Sequence, residues 1–131
     1  MLKKLPNYRE KQRILYIEHR SESDLIEYGN AFFDAGKLFD AIEFYQKAKY
    51  MAGLEKIKEM AEQSGDVMLI QQILRSLKLT ASDSIWHAVG QRALDLKKHS
   101  FALYAFEKEN NISMIESVKG IIKSEENDKT A

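Results

Sequence analysis

DLIEYGNAFFDAGKLFDAIEFYQKA, residues 24–48, reads as two short amphipathic helices joined by a tight turn. The first runs over 24–35, the turn sits at Gly36-Lys37, and the second runs over 38–51. Gly36 can take the positive φ that ends the first helix. Gly29 lies inside a helix, where glycine costs about 1 kcal/mol against alanine, so a packing reason is expected for it. Small residues allow two helix backbones to approach closely, and the sequence predicts that Gly29 and Ala41 face each other across the hairpin, with Phe32 and Tyr45 filling the space beside them.

The series Leu25, Gly29, Phe32, Ala41, Tyr45 and Ala48 resembles one tetratricopeptide repeat: a large residue, then glycine, an aromatic, alanine, an aromatic and alanine at that family's offsets. Only the family's late proline is missing, and Gly53 stands in its place. A second copy follows in Trp86, Val89, Gly90, Ala93, Ala102 and Phe106, with two departures: Ala93 stands for an aromatic and Glu109 for an alanine. The copies lie 61 residues apart (Gly29 to Gly90), which is too short for two full repeats and makes the middle repeat irregular. The resemblance implies an all-α fold, a short right-handed α-solenoid of about seven to eight helices in antiparallel pairs.

The remaining helices follow from caps and periodicity. Asn7 with Glu10 predicts a basic N-terminal helix over 7–20. Ser21 with Asp24 opens the first repeat-like pair, 22–52, and Ser64-Gly65-Asp66 divides an irregular middle pair, 54–79. Ser82 or Asp83 caps the second repeat-like pair, 83–110. Ile112, Ile115, Val118 and Ile122 predict a capping helix over 112–123, which closes a single domain over 1–123. Residues 124–131 lack apolar periodicity and are expected to be a disordered tail.

Charge is balanced, 20 basic against 20 acidic residues, so nothing draws the whole chain toward nucleic acid or anionic membrane. The balance is polarised along the chain: net +4 over 1–20, −5 over 21–66 and +1 over 67–131. The basic start, Lys3, Lys4, Arg9, Lys11, Arg13 and Arg20, is either an RNA- or lipid-binding stripe or a capping helix received by the acidic repeat beside it. There is no Cys, which excludes disulfides, thiolate catalysis and Cys-type zinc sites and is compatible with a reducing compartment. No apolar run approaches the ~18 residues of a spanning helix, and a cytoplasmic protein is the expectation.

No catalytic constellation is present in the sequence. The six Gly do not form a phosphate loop, and His19, His87 and His99 lack metal-ligand spacing. No enzyme activity, cofactor or metal is expected. The resemblance implies instead a scaffold that binds a protein or peptide along the first helix of each pair. Carried onto this chain, the binding face is Ile26, Asn30, Phe33 and Asp34 in the first copy and His87, Gln91, Leu94 and Asp95 in the second. Self-association, membership of a larger solenoid assembly, and attachment to nucleic acid or anionic membrane through the basic helix are the alternatives.

Overall fold

The computed structural model describes residues 3–78 and 82–130. Among them are eight helices and no strand: α1 (Tyr8–Tyr16), α2 (Glu22–Asp34), α3 (Leu38–Lys47), α4 (Met51–Ser64), α5 (Val67–Ser76), α6 (Asp83–Asp95), α7 (His99–Glu109) and α8 (Ile112–Thr130). Helices adjacent in sequence pack as pairs, α2 on α3, α4 on α5 and α6 on α7. Successive pairs meet through α3–α4, α3–α5, α4–α6 and α5–α7, and α8 covers α7. The molecule is a short helical solenoid.

Its regularity lies in how the helices stop. The first helix of each pair ends on a left-handed residue: Gly36 (φ 76°), Gly65 (φ 65°) and Lys97 (φ 61°). So does the second: Lys49 (φ 57°), Lys78 (φ 55°) and Asn110 (φ 59°). The two stops are 13 residues apart in every pair, α4–α5 included. The middle pair therefore repeats the backbone of its neighbours even though it lacks their side-chain series. At five of these ends the next N–H reaches back five residues, as in Lys37 to the Phe32 carbonyl and Lys98 to the Ala93 carbonyl, which satisfies carbonyls the helix leaves open.

The helix starts use the expected caps in part. Asn7 Oδ1 accepts from the Glu10 N–H, Ser21 Oγ from Asp24 and Asp66 Oδ1 from Leu69. Asn111 caps α8 by accepting from the Met114 N–H. Ser82 makes no such bond, and its hydroxyl pairs with that of Ser84.

Two clusters make the core. The larger runs from Ile14 and Leu15 of α1 through Phe32, Phe44, Ile57, Ile70 and Ile73 to Trp86 and Ala105. The smaller joins Ala93, Ala102 and Phe106 to Val118 of α8. At 25 cal/mol per Å2 of apolar surface, each fully buried Phe or Ile side chain contributes about 1.5–3 kcal/mol.

Three expectations are corrected. The N-terminal helix stops at Tyr16 instead of residue 20: the Ile17 and Glu18 N–H groups both turn back onto the Arg13 carbonyl, and Arg20 is drawn to Glu18 (2.7 Å) and Asp24 (2.8 Å). The tail expected to be disordered from Ser124 is helical through Thr130. With no Pro to break it and a polar contact from His99 Nδ1 to Glu125 (3.2 Å), α8 simply runs on. Gly29 does not face Ala41 first. A Cβ there would sit 2.5 Å from the Tyr45 ring and 3.3 Å from Phe44 Cβ.

Candidate partner-binding site

Tyr45 organises the site. One edge of its ring lies against Gly29 of α2 and the other against Gly53 of α4, where an added Cβ would come within 2.5 Å and 2.7 Å of the ring. Two glycines from two helices thus clamp one aromatic of α3. This explains why Gly29 tolerates the helix-propensity cost, and why Gly53 suits the place where the family has proline. From the clamp the Tyr45 hydroxyl donates to Asn30 Oδ1 (2.5 Å). Tyr50 closes the far side, edge-on to Tyr45 with ring centres 5.2 Å apart. Burial, then the nearby Tyr50 and Asp34, push the Tyr45 phenol up to about 12.

Around this pair opens a cleft of about 490 Å3 between α2 and α4. Asn30, Phe33 and Asp34 form one wall; Tyr50, Gly53 and Lys56 form the other. Lys56 Nζ lies 4.7 Å over the Phe33 ring and bridges the two walls by a cation–π contact. With Oδ1 taken by Tyr45, the Asn30 amide N–H2 has no partner among the described residues, and neither does the Asp34 carboxylate. The cleft thus offers a fixed amide donor, a carboxylate and aromatic walls side by side.

The eight residues named from the sequence therefore divide. Asn30, Phe33 and Asp34 are brought together in this cleft, whereas Ile26 is half-buried against the core and does not line it. In the second copy, His87 Nδ1 pairs with Glu109 (3.0 Å) and its ring leans on Phe106. Leu94 is half-buried against the smaller core cluster, while Gln91 and Asp95 are exposed. Sequence reasoning missed the α4 wall: Tyr50, Ala52, Gly53 and Lys56 belong to a helix without the family series. The signal available was Gly53, one more glycine inside a helix.

The basic N-terminal residues are largely committed to the acidic repeat. Lys11, 7% exposed, is the one buried charged side chain among the described residues. It donates to Asp40 (2.6 Å) and Glu43 (3.1 Å) of α3. Burial alone would lower its pKa, but these two carboxylates outweigh burial and hold it above the ordinary lysine value. Lys3 pairs with Asp24 (2.6 Å), Arg20 with Glu18 and Asp24, and Arg13 with Glu18 (3.2 Å). Asp24, bonded by Lys3 and Arg20, is held below the usual carboxylate range. Lys4 and Arg9 have no ion-pair partner among the described residues.

Among the described residues no group of His, Cys, Asp or Glu is placed to hold a metal, and no helix is long and apolar enough to cross a membrane. Comparison with protein-family models, with curated proteins and with solved structures finds no match to this chain.

Proposed function

We propose that this chain is a tetratricopeptide-like interaction module that holds an extended polypeptide segment in the cleft between α2 and α4. The observation that carries this reading is the Tyr45–Asn30 hydrogen bond, which fixes an amide donor at the mouth of a concave, aromatic-walled cleft. An immobilised amide N–H2 suits a peptide carbonyl, and Asp34 beside it suits an N–H or a cationic side chain. The pairwise helix packing and the 61-residue recurrence of the glycine–aromatic contact support the family resemblance. In that reading no chemistry is required of the site, and the absence of Cys suits a reducing, cytoplasmic setting. Attachment to nucleic acid or anionic membrane through the N-terminal helix is the weaker reading, because Lys3, Lys11, Arg13 and Arg20 already sit in ion pairs.

The test is affinity capture from native lysate with the wild type, with Asn30→Ala/Asp34→Ala, and with Gln91→Ala as a control outside the cleft. A defined polypeptide should survive nuclease and high-salt washing on the wild type and on the control. It should fall about tenfold on the double variant at unchanged helicity. Undiminished capture by the double variant, or material that vanishes with nuclease, would refute the proposal.

A further inference from the structure

A second concave surface lies on the α1–α3 side of the molecule; α3 borders the Asn30 cleft as well, through Tyr45, but the two share no lining residue. A cleft of about 450 Å3 is lined by Leu15, Tyr16, Glu43, Gln46, Lys47 and Lys49. A smaller one of about 170 Å3 shares Leu15, Tyr16 and Lys47 with it and extends past Ile17 to His19. Leu15 is buried in the core, whereas Tyr16 is 65% exposed and Ile17 73% exposed, so an apolar wall stands open to water beside the cleft.

The charges here are unevenly spent. The lining carboxylates are occupied: Glu43 by Lys11, and Glu18 by Arg13 and Arg20. The lysines are not. Lys47 and Lys49 have no ion-pair partner among the described residues. Lys49 is moreover held in the left-handed conformation that ends α3, with its N–H on the Gln46 carbonyl and the next N–H on Tyr45, so its charge projects from a fixed corner of the backbone. The result is two free cations beside two exposed apolar side chains.

We propose that this cleft binds an acidic polypeptide segment that carries a large apolar side chain. Carboxylates of the segment pair with Lys47 and Lys49, and the apolar side chain packs against Tyr16 and Ile17 over Leu15. Nucleic acid fits less well, because binding a strand needs cations spaced along successive phosphates. The N-terminal cations that would continue such a track, Lys11, Arg13 and Arg20, are engaged by this chain's own carboxylates. Two localised charges next to an apolar wall suit a short acidic–apolar segment. This inference does not rest on the Asn30 cleft, and the two surfaces are separable by mutation.

The experiment is fluorescence anisotropy on the full chain with three labelled probes: a short peptide of repeated Glu-Asp-Leu units, its Lys-Lys-Leu counterpart and a single-stranded RNA. The acidic peptide should bind saturably and the basic one should not. Lys47→Glu/Lys49→Asp should weaken binding by about tenfold or more, and Tyr16→Ala by severalfold. Asn30→Ala/Asp34→Ala should leave it unchanged. The milder Lys47→Gln/Lys49→Asn variant, in which Asn tolerates the left-handed position, gives the same readout if charge reversal disturbs folding. Absence of acidic-peptide binding, affinity unchanged in the folded lysine variants, or a preference for RNA would each overturn the proposal.

Discussion

The first helix pair, α2–α3, and the third, α6–α7, are the same backbone used for two purposes. Residues 61 apart meet the same neighbours: Gly29 faces Tyr45 and Phe44, and Gly90 faces Phe106 and Ala105. The differences fall in coupled sets. In the first pair Phe32 stacks on Phe44 at 5.4 Å, whereas in the third both places hold alanine, Ala93 and Ala105. The reason lies in α4. Its terminal Gly65 is so close to Ala93 that an added Cβ would lie 2.7 Å from the Ala93 Cα, leaving no room for an aromatic. From the same side Arg92 and Lys98 donate to the Gln63 and Ser64 carbonyls and so cap α4. Likewise, the place of Ile26 holds His87 and the place of Ala48 holds Glu109, and these two side chains are in hydrogen-bond contact. The third pair uses these positions for contacts to α4 and between its own helices, while the first bonds Asn30 to Tyr45 beside Asp34, unpaired among the described residues; Gln91 and Asp95, at the places of Asn30 and Asp34, are simply exposed.

The glycine clamp gives the largest test of this contrast. Gly29→Ala pushes a methyl into a Tyr45 ring that Gly53 holds from the other edge, so overpacking should destabilise by about 2–3 kcal/mol. Gly90→Ala pushes on Phe106, and the place of Gly53 is there taken by Met114, a flexible side chain that can yield. Set against the helix-propensity gain of alanine, its net cost should be about 1 kcal/mol or less. Urea unfolding of both variants measures the difference, and equal losses would mean the two pairs are packed alike.

Tyr45→Phe sharpens the comparison by giving the first pair the third pair's residue. It removes the bond to Asn30, which is itself exposed, so the cost should be about 1 kcal/mol. The phenol adds a pH signature. Its folded pKa, about 12, lies above the ordinary value of 10.0, so the neutral form is favoured by folding. That stability is fully present below pH 10 and is lost as pH rises toward 12. Lys11, raised above its ordinary 10.5, also loses its contribution as pH rises, so the wild-type minus Tyr45→Phe difference in alkaline unfolding isolates the tyrosine. A difference that does not vary with pH would contradict the buried, bonded phenol.

The fold was legible where small residues and stop signals coincide. Gly29, Gly36, Ala41, Gly90 and Ala102 marked both repeat-like pairs, Ser21 marked the start of the first, and Asn7 marked the start of the N-terminal helix. The two helices of the middle pair were legible from their apolar stripes and from Ser64-Gly65-Asp66, but their equivalence to the neighbouring pairs was not, because what they share is a left-handed stop thirteen residues after another, and Lys78 does not announce positive φ as glycine does. The candidate site was half legible. Asn30, Phe33 and Asp34 follow from the first helix's exposed face, but their opposite wall comes from a helix whose register the series does not set. The acidic run 21–66 left two destinies open for the basic start, and only the geometry distinguishes Lys11, sunk between Asp40 and Glu43, from Lys4 and Arg9.

The smallest effect tests whether the two pairs share their backbone punctuation. Gly36 and Lys97 occupy the same stop, at φ 76° and 61°. A non-glycine residue there carries strain of roughly 1–2 kcal/mol, partly offset by the entropy that glycine loses on folding. Lys97→Gly should therefore stabilise by about 0.5–1 kcal/mol, and Gly36→Lys should destabilise by about the same amount, since a Cβ at Gly36 meets no atom within 4 Å and adds only the backbone strain. Thermal and urea midpoints of the two single variants and the double exchange read this directly. If the stops are equivalent, the exchange leaves stability near the wild type. A double variant that loses as much as Gly36→Lys alone would show that the third pair's turn is held by its Lys98 and Arg92 contacts to α4 instead of by its own left-handed residue.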